Sequence, residues 1–273
     1  MMNSEAYKMF SVENKVIIIT GGAGFLGMQF AKALGWAGAQ IVIWDNCEFN
    51  HLQSQVVNIR RENIKCIAQC VDLTNKAAID KMVNSLIEKF GRIDVLINNA
   101  ALNPAVDSAE TKQMFAPYEQ YPVDLFKKEV EVDLVGTHLC IRAAAPQMMK
   151  QRSGVVVNIA SEYANLGANN RIYGEGQFKS IAYITAKSGV LGLTRGWASY
   201  LGEYGVRVNA FIPGGMPKPE VSEEFKKKYS ALNMLGRMAN PGEYNGAILF
   251  LCSGASSFMT GGQLVMDGGK SAW

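Results

Sequence analysis

"KVIIITGGAGFLG", residues 15–27, decides how this chain is read. Its first six residues are apolar and β-branched almost without a break, the mark of a strand buried on both faces. The strand runs straight into "TGGAGFLG", Thr20 to Gly27, in which Gly22, Gly24 and Gly27 hold a GxGxxG spacing, and a helix-forming stretch follows at about 25–38. Glycine at these places permits a tight turn, lets backbone approach a pyrophosphate, and lets the helix pack closely on the strand. The helix amino end adds N–H donors and a dipole that favours phosphate. Gly21, Gly22, Gly24, Phe25, Leu26 and Gly27 are therefore candidates to hold a nucleotide. A glycine-rich turn without a ligand is the plainer alternative, and the strand-turn-helix setting is what favours the nucleotide.

Working outward, similar apolar runs recur at 39–44, 65–71, 93–98, 154–160, 205–212 and 263–266. Helical stretches separate most of them, at about 50–62, 75–90, 124–150, 182–204 and 241–253. Strand alternating with helix predicts an α/β fold, a doubly wound parallel sheet of about seven strands with helices on both faces. We expect one Rossmann-type domain over 1–273, with ligands at the carboxyl ends of the strands. The second strand ends in Asp45, twenty-three residues after Gly22. A carboxylate there accepts hydrogen bonds from ribose hydroxyls and repels the extra phosphate of NADP, so NAD is the expected cofactor. An Asp that merely opens the next turn is the alternative.

"SIAYITAKSG", residues 180–189, places Tyr183 four residues before Lys187. One helical turn separates them, so a phenol and an ammonium share a face. A cation nearby favours the phenolate and would bring a Tyr down from about 10, making an acid and base usable near neutrality.

Composition excludes several classes. The chain has 273 residues, 48% hydrophobic and 19% charged, with a formal charge of +3 and no long basic stripe, which argues against nucleic acid. Lys226 to Lys228 read as a solvated helix face balanced by Glu220, Glu223 and Glu224. No run has signal-peptide or membrane-span character, so a soluble cytoplasmic protein is expected. Five scattered cysteines and two distant histidines form neither a disulfide framework nor a zinc pattern, and no metal is expected.

"TGGAGFLG", "VDLTN", "NNAA", "VVVNIAS", Tyr183-x-x-x-Lys187, "GVRVNAFIPGG" and "MTGGQLVMDGG" follow one another as in the short-chain dehydrogenases/reductases, which the chain resembles over almost its whole length. The resemblance implies that Tyr183 is the catalytic acid/base, that Lys187 lowers its pKa and holds the nicotinamide ribose, and that Ser161 hydrogen-bonds the substrate oxygen. It places Asp72 and Leu73 beside the adenine, and Asn99 and Ala100, within the 98–100 turn, under the cofactor. Pro213, Gly214, Gly215 and Met216 fall beside the nicotinamide. It further implies a homotetramer or homodimer with the helices near 124–150 and 182–204 at an interface, and a small lid near 214–240.

Three departures stand out. The family's shorter branch usually has TGxxxGxG, with glycine where Phe25 stands, and "TGGAGFLG" is similar to the longer branch that includes sugar-nucleotide epimerases, while length and the remaining motifs favour the shorter branch. Asp133 occupies the place of an Asn that shapes a helix and supports a proton relay; an ionised Asp only accepts hydrogen bonds. Finally, twenty-two positions separate Ser161 from Tyr183, against about a dozen in the common pattern, so the stretch near 162–181 carries an insertion. Its polar and aromatic residues suit a hydroxyl-rich or acidic small molecule, similar to gluconate-dehydrogenase-like members. Arg171, for a carboxylate or phosphate, and Tyr173 are the expected substrate contacts; a surface excursion is the alternative.

The expected activity is hydride transfer between NAD and a secondary alcohol or ketone of such a substrate. A nucleotide-sugar epimerase or dehydratase, and a non-catalytic NAD-binding regulator, remain as alternatives.

Overall fold

All five residues of β1 (Val16–Thr20) are buried, because strands flank it on both sides and helices cover both faces. The computed structural model describes residues 4–103 and 109–273. Among these, β1 joins β2 (Gln40–Asp45), β3 (Cys66–Cys70), β4 (Val95–Asn98), β5 (Gly154–Ile159), β6 (Val206–Pro213) and β7 (Gln263–Met266) in one sheet. The order is β3-β2-β1-β4-β5-β6-β7 and every pairing is parallel. Strand order reverses direction between β1 and β4, so their carboxyl ends open a crevice, the usual place for a ligand in such sheets.

The helices are α1 (Ser4–Met9), α2 (Phe25–Trp36), α3 (Phe49–Arg60), α4 (Lys76–Phe90), α5 (Val123–Val130), α6 (Gly136–Gln151), α7 (Ile181–Leu201), α8 (Glu223–Ser230) and α9 (Asn245–Cys252). Alternation along β1 sorts them into two layers. Ile17 and Ile19 pack with Phe30 and Leu34 of α2, Val56 of α3 and Ile248 of α9. Val16 and Ile18 face the other way, toward Ile79 of α4, Ile141 of α6 and Leu201 of α7. Local chemistry sets the helix ends: Asn75 caps α4 by accepting the Ala78 N–H at 3.0 Å, and Gly91 ends it in the left-handed region at φ +73°.

One feature departs from the sequence reading and one agrees with it. The helix expected over 124–150 is broken by a π turn at Glu131–Val135. That extra residue per turn carries Asp133 inward to full burial, a rearrangement common at functional sites. The run near Lys226 is a solvated helix face as read, α8, with Lys227 and Lys228 exposed and Lys226 and Lys228 paired with Glu223 and Glu224; its inner face carries Phe225 and buried Tyr229, clustered with Ile172 and Tyr173 of the insertion.

Candidate active site

A cavity of about 900 Å³ opens at the carboxyl ends of the strands. At one end, the turn after β1 is built by close approach. Gly21 has φ +58°, and a Cβ there would come within 2.8 Å of Ala100 Cα. On Gly27 a Cβ would meet the Gly21 carbonyl oxygen at 2.3 Å, so α2 seats on the turn only as glycine. The Asn99 side-chain amide donates to the Thr20 and Gly21 carbonyls, both at 3.0 Å, while the Asn99 and Ala100 N–H groups donate to Thr20 Oγ1.

Gly24, Phe25 and Leu26 line the cavity, and α2 carries no side-chain cap, which leaves its first-turn N–H donors to a ligand. Asp45, ending β2, accepts from the Ala23 and Cys47 N–H groups at 3.1 Å and faces the same space. Asp72, Leu73, Asn99, Ala100, Pro213, Gly214, Gly215 and Met216 line it too. Gly22 and Gly27 do not: both are buried beneath the turn, so their part is in packing rather than contact. The uncapped helix, the narrow glycine turn and the carboxylate at the end of β2 fit a dinucleotide.

Further along, Ser161 follows β5 while Tyr183 and Lys187 lie in the first turns of α7, all three buried on the cavity wall. Ser180 caps α7 by accepting the Tyr183 N–H at 3.1 Å. Lys187 Nζ donates to the Ile159 carbonyl at 3.0 Å and stands 5.6 Å from the Tyr183 ring centre. Burial raises the Tyr183 phenol above its ordinary value, opposed by a hydrogen bond from Ser161. The sequence reading had Lys187 bring that phenol down; within the protein alone, burial dominates and the phenol is raised. Burial also lowers Lys187, with the nearby Asp133 carboxylate raising it in opposition.

Asp133 does not line the cavity. Its Oδ1 accepts the Leu102 N–H at 2.8 Å, and its Oδ2 lies 3.9 Å from Lys187 Nζ. Burial pushes this carboxyl up, with Lys187 pulling it down. Asp133 thus positions Lys187 and the loop after β4 and does not meet a substrate directly.

At the far end the insertion forms a wall. Glu162, Tyr163, Tyr173 and Lys179 line the cavity, as do Lys218, Phe225 and Tyr229 from the segment across it. The Tyr163 and Tyr173 hydroxyls are 3.2 Å apart. Glu162 accepts from Lys270 Nζ at 2.6 Å and from the Tyr229 hydroxyl, whose oxygen in turn accepts the Gly215 N–H at 2.6 Å. Arg171 corrects the sequence reading: it is exposed and off the cavity wall, because its 3₁₀ turn (Asn170–Ile172) buries Ile172 instead.

Sequence reasoning missed Lys179, 7% exposed, whose Nζ lies 4.0 Å from the Tyr183 ring centre. Its signal was present: Lys179, Tyr183 and Lys187 recur at intervals of four. Glu129, fully buried on α5 and accepting from Tyr121 and from Ser180 at 2.8 Å, was missed as well.

A family model described as enoyl-(acyl carrier protein) reductase matches residues 22–271. The chain belongs to the short-chain dehydrogenases/reductases. A short-chain dehydrogenase/reductase of Aspergillus oryzae is 32% identical over 272 residues, covering 96% of this chain and 97% of the relative. Trans-4-hydroxycyclohexanecarboxylate dehydrogenase of Sinomonas cyclohexanicum is 34% identical, covering 96% and 94%. Among solved structures, a gluconate 5-dehydrogenase from Burkholderia cenocepacia, in complex with NADP and tartrate, aligns with TM-score 0.86 at 25% identity, covering 98% and 99%. Membership in this dehydrogenase/reductase family makes the chain an oxidoreductase using a nicotinamide cofactor, and its relatives support interconversion of secondary alcohols and ketones. Among the described residues, no helix is long and apolar enough to cross a membrane.

Proposed function

We propose that this short-chain dehydrogenase/reductase is an NAD-dependent enzyme acting on a small polar substrate, sugar-like or acidic. The observation that carries the reading is the convergence of Ser161, Tyr183 and Lys187 on one cavity whose other end holds the glycine turn and Asp45. A bound nicotinamide supplies the hydride acceptor, or the donor in the reverse direction. Tyr183 takes the hydroxyl proton as the carbonyl forms, and returns it in reduction. Ser161 hydrogen-bonds the substrate oxygen, and Lys187, anchored on Ile159, holds the cofactor ribose and favours the phenolate. Asp45 accepts from the adenosine ribose and disfavours a 2′-phosphate, which supports NAD over the NADP seen with the Burkholderia enzyme. Asp72 and Leu73 flank the adenine, and residues 213–216 the nicotinamide.

The carboxylate and gluconate substrates named for the relatives support a polar acid. The proposal extends to a homodimer or homotetramer through α6 and α7, where exposed His138 and Tyr200 both stack on Trp197.

Steady-state turnover of hydroxy acids, polyols and sugar phosphates, followed by nicotinamide absorbance with NAD and with NADP, tests the reading. Reduction of NAD by at least one alcohol is expected. Cofactor binding without turnover across the panel leaves a non-catalytic binder, and isomerised product without net NADH points to an epimerase.

A further inference from the structure

The substrate wall holds a pair of cations that the proposed chemistry does not use. Lys179 Nζ donates to Asn103 Oδ1 at 2.7 Å, and Lys218 Nζ donates to the carbonyl of the same residue at 2.8 Å. Two ammonium groups are thus drawn to one asparagine at the cavity mouth, one from the insertion and one from the 214–240 segment. Each is lowered by burial, Lys179 to about 8, with the Lys218 charge lowering Lys179 further and Glu220 raising Lys218 in opposition. Among the described residues, neither has a carboxylate within 4.0 Å. The acids that act on Lys179 are engaged elsewhere: Glu162 with Lys270 and Tyr229, Asp133 with Leu102 and Lys187, Glu129 with Tyr121 and Ser180; Glu220 acts on Lys218 from beyond ion-pair distance. Holding a buried ammonium beside a second, half-buried one is unfavourable unless an anion arrives to share them.

An ammonium has three donors, and neutral Asn103 answers one on each lysine. We propose that Lys179 and Lys218 form an anion-binding subsite that takes a carboxylate of the substrate. The inference deepens the dehydrogenase reading and rests on it for the word substrate. With Lys179 Nζ 4.0 Å from the Tyr183 ring centre, the carboxylate lies only a few atoms from the carbon whose hydroxyl meets Tyr183. The substrate is therefore a compact hydroxy acid, or the matching keto acid, with acid and alcohol on the same small skeleton. Arg171, exposed on the outer side of the insertion, takes no part.

Two measurements test this in the whole protein. In turnover, trans-4-hydroxycyclohexanecarboxylate is compared with its neutral carboxamide. Lys179→Met should raise KM for the acid about a hundredfold and for the amide less than threefold, with Lys179→Arg restoring most of the difference and Lys218→Met costing about tenfold. The ratio of the two substrates removes any change in kcat that comes from uncovering the Tyr183 ring. In binding, malonate, which has no alcohol to oxidise, is titrated calorimetrically into the NADH-bound protein, with malonamide as control. Malonate binding that is lost in Lys179→Met and Lys218→Met supports the subsite, even if no alcohol is turned over and the dehydrogenase reading fails. Equal wild-type KM for acid and amide, with no malonate binding, overturns the subsite and leaves the dehydrogenase reading standing.

Discussion

The two ends of the cavity are built by different means. The proposed cofactor end is lined by backbone amides, glycines and two carboxylates, Asp45 and Asp72, all placed within a few residues of strand ends. At the substrate end the lining comes from long side chains, Lys179, Tyr173, Lys218 and Tyr229, carried by segments far apart in sequence. The first is fixed by the sheet, so any chain with this strand-turn-helix pattern makes nearly the same site. The second depends on which loops meet, so relatives of similar fold can serve different substrates.

The boundary between the two ends is Tyr183, and removing its hydroxyl is the most severe way to separate them. Tyr183→Phe should bind cofactor as before and lose about 10²–10⁴ in kcat. Retention of a tenth or more of wild-type kcat would show that the proton passes elsewhere. The cofactor end itself is broken by Gly27→Ala. The added methyl meets a backbone oxygen that cannot step aside, and we expect a loss of about 1–3 kcal/mol in denaturant unfolding. An unchanged midpoint would mean that α2 seats without glycine.

Asp45→Ser with Asn46→Arg sharpens the contrast by altering nucleotide choice alone. The ratio of kcat/KM for NAD over NADP should fall about 10–100-fold with substrate KM unmoved. A wild-type protein that already prefers NADP contradicts the assignment of Asp45.

Titration probes the other end. Lys179, lowered to about 8 by burial, is cationic below that pH and neutral above it. Among the described residues, Glu129, Asp133, Glu162 and Lys218 act on its charge, and the Tyr163 and Tyr183 rings lie beneath it. The KM ratio of acid to amide should therefore rise about tenfold between pH 7 and pH 9. A flat ratio removes Lys179 from anion recognition. Asp133→Asn carries the smallest effect: the carbonyl of Asn accepts the Leu102 N–H as Asp133 does, so kcat should stay within about threefold. A collapse would show that the negative charge beside Lys187 is itself required.

The same division explains what could be read in advance. Strand and helix alternation, the glycine turn and Asp45 are local patterns, and the seven-stranded parallel sheet followed from them. Ser161, Tyr183 and Lys187 were readable by resemblance, and the fold gathers them on one wall. Arg171 was misjudged because a 3₁₀ turn decides which side chain points inward, and nothing in "NNRIY" announces that Ile172 will be the buried one. Lys179 was overlooked since it precedes the helix that makes its four-residue spacing meaningful, and its partner Lys218 is thirty-nine positions away. The π turn at Glu131–Val135 leaves the hydrophobic pattern of a plain helix almost intact, so only the folded structure reveals the shift that buries Asp133.

Glu162 stands next to Ser161, and two distant parts of the chain end on its carboxylate: the Tyr229 hydroxyl from α8 and the Lys270 ammonium. Were α8 to swing clear of the cavity apart from the 213–216 loop, Tyr229 would release that oxygen and the Gly215 N–H together. The ion pair would stay intact, since neither Lys270 nor Glu162 belongs to α8 and the charge remains compensated. Such an opening would trade neutral-donor hydrogen bonds for water, and its rate should respond to solvent viscosity and deuteration far more than to ionic strength.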